Sequence, residues 1–167
     1  GVAVQPRDAH RPAIRQRDLE RLPLLLPQRH VAELDESRVD PAMITLEIIE
    51  TAVVHDIERL QVILKNLKSL GVHIAIDDFG TGYSSLMHIK RFPIDEVKID
   101  QSFVAGITTD PNDAAITQAV IAMAHSMDMK VIAEGVETES QLAFLRERHC
   151  DEWQGFLFAH ALPASEF

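Results

Sequence analysis

Beyond residue 40 the chain alternates between two kinds of apolar spacing. Compact apolar runs at residues 43–48, 72–76, 96–99, 130–133 and 153–158 are rich in β-branched and aromatic side chains and predict strands. Between them the spacing turns helical. Residues 56–70 place Ile57, Leu60, Ile63, Leu64 and Leu67 on one face, and residues 113–129 turn Ile116, Val120, Ile121, Met123, Ala124 and Met127 inward. Residues 138–148 predict a helix capped by Thr138, and residues 83–89 a short helix that ends before Phe92-Pro93. Strand and helix in alternation mean a parallel sheet with helices packed outside it. Periodicity alone leaves a closed barrel and an open sheet both available. The polar residues favour a barrel of the TIM type. Glu47 and Glu50, Asp77 and Asp78, Lys98 and Asp100, Glu134 and Glu137, and Gln154 all fall in or just after the carboxyl half of an expected strand, the end where barrels carry their chemistry.

The first 40 residues read differently. Pro6, Pro12, Pro23 and Pro27 with scattered Arg interrupt residues 5–29, where only Leu22 and Leu24 to Leu26 look buriable. The expected organisation is an irregular or divergent segment over 1–40, with one strand at 2–4, followed by the C-terminal part of a barrel domain over 41–167. About five or six strands of an α/β barrel incomplete at its N-terminus are expected.

At 167 residues the chain suits one domain or most of a larger one. Its formal charge of −10 argues against a nucleic-acid duplex, which needs clustered Lys and Arg to displace counterions, but leaves room for a small phosphorylated ligand held through metal ions. Residues 1–40 hold seven Arg and seven acids, so the acidic excess lies in 41–167. No apolar run of about 18 residues suggests a membrane span. The start has no apolar signal core, and the lone cysteine, Cys150, has no internal partner, so a reducing, cytoplasmic setting is expected.

The most informative passage is Asp77-Asp78-Phe79-Gly80-Thr81-Gly82. Neighbouring strand residues point to opposite faces, so both carboxylates reach one site only where the backbone turns, and Gly80 and Gly82 permit a turn. Two adjacent like charges are tolerable with a cation between them or a proton on one of them. Glu47, Asp77, Asp78 and Glu134 are hard oxygen donors without Cys or suitably spaced His, a set that favours Mg²⁺ or Mn²⁺ over zinc. Lys98 among these acids reads either as a cation beside a phosphoryl group or as a salt bridge in the barrel interior.

Five segments now carry a resemblance: Leu46-Glu47-Ile48-Ile49-Glu50, residues 77–86 from Asp77-Asp78 onward, Val97-Lys98-Ile99-Asp100-Gln101-Ser102-Phe103, Ala133-Glu134-Gly135-Val136-Glu137-Thr138 and Gln154-Gly155-Phe156-Leu157-Phe158. In content and order they resemble the motifs of EAL domains, bacterial phosphodiesterases that open cyclic di-GMP to linear pGpG. The resemblance implies metal ligation by Glu47, Asp77, Asp78 and Glu134 around a Mg²⁺ or Mn²⁺ pair. It implies that Lys98 orients the hydrolytic water, that Gln154 lies near it, and that Glu134 doubles as general base. It further implies that Glu50 anchors the loop from Phe79 to Ser85, with Asp100 and Glu137 as supporting groups behind the ligands.

Family members begin with a strand bearing a Glu-Ala-Leu ligand and a second strand ending in Asn. This chain has no equivalent of the first, since Ala32-Glu33-Leu34 lies too close to Glu47, and has Gln5-Pro6-Arg7 where the Asn is expected. The resemblance therefore implies cyclic di-GMP hydrolysis, with activity impaired. The competing expectations are a degenerate EAL domain that binds cyclic di-GMP or a protein without turnover, and an unrelated metal-dependent barrel enzyme acting on an enolate. Open strand edges imply homodimers or higher association.

Overall fold

The computed structural model describes residues 40–50, 57–82 and 86–158. The expected strand at 2–4, the irregular stretch at 5–29, and Tyr83 to Ser85 lie outside these residues. In chain order, a short 3-10 turn at Pro41–Met43 precedes β1 (Thr45–Ile49), α1 (Ile57–Ser69), β2 (His73–Phe79), α2 (Leu86–Ile89) and β3 (Glu96–Ile99). Then come α3 (Gln101–Gly106), α4 (Pro111–Ser126), β4 (Lys130–Ala133), α5 (Glu139–Glu147) and β5 (Glu152–Trp153). The five strands form one parallel sheet in the order β1-β2-β3-β4-β5. Sequential order with helical crossovers is the arrangement of a TIM-type barrel segment, and among the described residues the sheet does not close.

Register separates the two faces. Pairing of Leu46 with Ile74, Ile76 with Val97, and Val97 with Val131 puts these apolar residues on one face, and each is at most 3% exposed. Alternation puts Glu47, Ala75, Asp77, Lys98 and Ile132 on the other face. The apolar face packs into two clusters. One gathers Ile76, Val97, Val131, Val120, Ile121 and Leu145; the other gathers Leu46, Ile48, Leu64, Ile74 and Phe92; Ile94 touches both. Burying such side chains contributes roughly 1.5–3 kcal/mol each, so the helix-covered face anchors the sheet and leaves its opposite face free to be polar.

Local chemistry sets the helix ends. Asp110 caps α4 by accepting from the Asn112 N–H at 2.8 Å, with Pro111 in the first turn, so the helix starts ahead of the expected Asp113. The buried stripe of α4 is Thr117, Val120, Ile121 and Ala124; Ile116, expected to face inward, is 38% exposed. Thr138 caps α5 in a reciprocal capping box with Gln141.

One expected strand is shorter, and one helix was not foreseen. The last strand ends at Trp153 and does not run to Phe158, because the chain folds against the preceding loop. Val136 donates its N–H to the Gln154 carbonyl and accepts from the Leu157 N–H, each at 3.0 Å, and a Cβ on Gly155 would lie 2.3 Å from the Val136 backbone. The helix is α3, which the apolar spacing did not predict. Six residues are too few for a helical period to show, and the helix depends on Asp100 as its cap.

Candidate metal and active site

The strand ends bring most of the expected residues together. Between β2 and β3, Ile76 pairs with Val97 and Phe79 with Ile99, so Asp77 and Asp78 together oppose the single residue Lys98. This is a β-bulge. Asp78 takes up the extra residue in a left-handed conformation, φ +55°, and its N–H donates to Asp77 Oδ1 at 3.1 Å. The turn that lets both carboxylates face one site thus sits at Asp78 itself, one of the few residue types that tolerate this conformation.

The following loop is gripped from two sides. Glu50, 3% exposed, accepts on Oε2 from the Gly80 N–H at 2.9 Å and the Gly82 N–H at 3.0 Å. Gly80 has φ +100°, and a Cβ there would lie 2.9 Å from the Phe103 ring. Side-chain bulk at this position is excluded both by conformation and by contact.

Lys98 sits at the centre. Its Nζ lies 3.0 Å from Glu47 Oε1, 3.1 Å from Asp77 Oδ1 and 2.5 Å from Glu134 Oε1. Burial by itself would lower the Lys98 pKa, but the hydrogen bond and charge of Glu134, with the charges of Glu47 and Asp77, outweigh it and raise the pKa above its ordinary value. Lys98 stays an ammonium. Glu134 is raised above the usual carboxylate range, first by burial and then by Asp77 and Glu47, against the opposing pull of Lys98. Asp78 is raised by burial, by the charge of Asp77, and by the charge and hydrogen bond of Asp100, again against Lys98. Four carboxylates against one ammonium leave the site short of positive charge.

A divalent cation fits that shortage. Asp77, Asp78 and Glu134 each offer a carboxylate oxygen, and these oxygens lie within 4.8 Å of one another. Metal–oxygen bonds of about 2.0–2.6 Å span that spacing, and the all-oxygen donor set suits Mg²⁺, Mn²⁺ or Ca²⁺. Glu47 stands beside this group, joined to it through Lys98.

The remaining expected residues divide. Gln154 donates from Nε2 to Glu134 Oε1 at 2.6 Å. Asp100 accepts from the Ser102 N–H at 3.0 Å, bonds the Ser102 hydroxyl, and faces Asp78. Glu137 is exposed; its backbone N–H, not its carboxylate, makes the contact, donating to Gln141 Oε1 at 2.9 Å.

Sequence reading missed the residues that shape the loop behind Glu134. Gly135 has φ +71°, and a Cβ there would lie 2.7 Å from the Gln101 Cβ. Gln141 is 6% exposed and bonded at both ends of its amide. The signal for Gln141 was present in Thr138-x-x-Gln141, a capping-box spacing.

The fold and site define a class: a parallel α/β barrel segment with a divalent-metal-type carboxylate cluster at the carboxyl ends of its strands. The EAL domain family model matches residues 14–161, and the chain belongs to that family. It is 45% identical over 146 residues to the cyclic di-GMP phosphodiesterase NbdA of Pseudomonas aeruginosa, an alignment covering 87% of this chain and 18% of that protein. Among solved structures, the MucR phosphodiesterase of the same organism in its cyclic di-GMP complex superposes with a TM-score of 0.78 at 42% identity, over 81% of this chain and 55% of that one. The Klebsiella pneumoniae BlrP1 complex with manganese and cyclic di-GMP gives a TM-score of 0.72 at 33% identity, over 80% of this chain and 35% of that one. The chain therefore spans about a fifth of the curated relative's length and roughly half of the MucR structure.

Proposed function

We propose that this EAL domain binds cyclic di-GMP and hydrolyses it to linear pGpG with the help of Mg²⁺ or Mn²⁺. The observation that carries this reading is the convergence of the Asp77, Asp78 and Glu134 carboxylates, within 4.8 Å of one another, around the ammonium of Lys98. The names of its relatives, cyclic di-GMP phosphodiesterases and cyclic di-GMP complexes, supply the substrate class.

In this reading Asp77, Asp78 and Glu134 hold the metal, with Glu47 as the adjacent donor. Divalent ions held there would supply positive charge at the phosphodiester and lower the pKa of a water. Lys98, held as an ammonium by its acidic neighbours, orients that water and faces the phosphoryl oxygens. Glu134, 2.5 Å from Lys98, is placed to accept the proton that attack releases. Gln154 donates to the same Glu134 oxygen that faces Lys98, and Glu50 keeps the loop after Asp78 in place.

A second reading, a receptor that binds cyclic di-GMP without turnover, is favoured by one observation. Among the described residues the metal-capable group holds three carboxylates, a thin donor set for two ions. Incubating the chain with Mn²⁺ and cyclic di-GMP and separating the nucleotides by chromatography decides between them. pGpG formation abolished by Glu134→Gln or Lys98→Ala supports hydrolysis, saturable calorimetric binding without product supports the receptor, and absence of both overturns both.

A further inference from the structure

Gln141 ties together two segments that carry site residues. Its Oε1 accepts from the N–H groups of Glu137 and Thr138, each at 2.9 Å. Its Nε2 donates to the carbonyls of Val104 at 3.2 Å and Ala105 at 3.5 Å. The first pair belongs to the loop that leaves β4 through Glu134, and the second to α3, which follows Lys98 and Asp100 directly. Glu134 is held to β3 from its own end, donating its N–H to the Ile99 carbonyl at 3.1 Å.

A capping box alone does not account for this residue. Glu serves as well as Gln at the third helical position, because only the acceptor end reaches back to the cap. The donor end of Gln141 is what crosses to α3, where the carbonyl of the fully buried Val104 accepts it alongside the Ile107 N–H at 3.4 Å. Gly135, wedged against Gln101, leaves the loop little room to find another seat.

We infer that Gln141 is a positioning residue for the metal site: by bridging the β4 loop to α3 it sets the placement of Glu134 relative to Lys98 and the Asp77-Asp78 pair. The inference rests on the metal-site reading of Glu134, but its test separates the two. Gln141→Glu keeps the cap acceptor and removes the bridge. In Mn²⁺ calorimetry it weakens affinity at least tenfold, while Leu64→Ala, a core change in the other apolar cluster that lowers the melting temperature, leaves affinity within twofold. In metal-free chain, a urea-unfolding double-mutant cycle of Gln141→Met, which adds no charge, with Glu134→Gln shows a coupling of threefold or more in the unfolding constant. If Gln141→Glu fails to fold, Gln141→Met takes its place in the calorimetric arm, beside Thr138→Ala, which weakens the cap and keeps the bridge. Unchanged Mn²⁺ affinity with an additive cycle overturns the inference. A wild-type chain that binds no Mn²⁺ overturns the metal-site reading instead, and the metal-free cycle then decides the role of Gln141.

Discussion

Lys98 Nζ and Glu134 Oε1 lie 2.5 Å apart across the β3–β4 edge, and Glu134 nevertheless keeps a raised pKa. Burial, reinforced by the acids around it, outweighs the single ammonium beside it. The lysine therefore acts as a partial counter-charge to a cluster that remains too negative.

Removing that counter-charge exposes the imbalance. Lys98→Met leaves Glu47, Asp77 and Glu134 facing one another without it, and breaking a buried pair typically costs about 3–5 kcal/mol. Urea unfolding in EDTA at pH 7 is expected to show a loss of that order. Acidification should shrink the deficit as the carboxylates take up protons.

The raised pKa values of Asp78 and Glu134 give the metal-free chain a definite pH response. An acid whose folded pKa lies above its unfolded value contributes stability below the unfolded pKa, and that contribution is lost as pH rises through the folded one. These two groups should therefore make the metal-free melting temperature fall as pH rises beyond the ordinary carboxylate range. Mn²⁺ needs the ionised forms, so its stabilising shift should grow over the same interval. Thermal melts from pH 4 to 8, with and without Mn²⁺, check both slopes.

Glu50 holds both glycines of the loop that follows β2. Glu50→Ala leaves the Gly80 and Gly82 N–H groups without that acceptor, at a cost of about 1–3 kcal/mol if one stays unsatisfied. Because the same loop follows directly on the strand end that carries Asp78, Mn²⁺ affinity should fall as well. Glu50→Gln, which retains an acceptor oxygen, should lose less of both in parallel melting and calorimetric titrations.

Cys150 is 5% exposed, its Sγ faces the Val131 and Glu152 carbonyls, and burial pushes its thiol up to about 12. An unperturbed thiol titrates near 8.5. Labelling by Ellman's reagent at pH 8 should therefore be slow in the native chain and complete within the mixing time in denaturant. A native rate equal to that of free cysteine would contradict this environment.

What the sequence made legible was what local pattern can encode. Glu96–Ile99 and Lys130–Ala133 are strands over the expected residues because each is a compact run that pairs on both sides. The acids at the strand ends were visible because the barrel expectation gave them a common rim. The turn at the aspartate doublet was legible, but its position was not. Glycine advertises a left-handed backbone and Asp78 does not, so the bulge opposite Lys98 appeared only with the β2–β3 register. Likewise Phe156, Leu157 and Phe158 look like strand. They depart from it because Gly155 packs on the Val136 backbone, a contact between segments that no local pattern announces. Gln141 was hidden for a similar reason, since its cap is local and its bridge to α3 is not.

In the proposed function Asp77, Asp78 and Glu134 share one divalent cation. Mn²⁺ calorimetry on the wild-type chain beside Asp78→Asn and Glu134→Gln tests it most directly. Saturable binding by the wild type, weakened at least tenfold in each variant while both stay folded, is the predicted result. Binding of equal strength in all three, or none by the wild type, would contradict it.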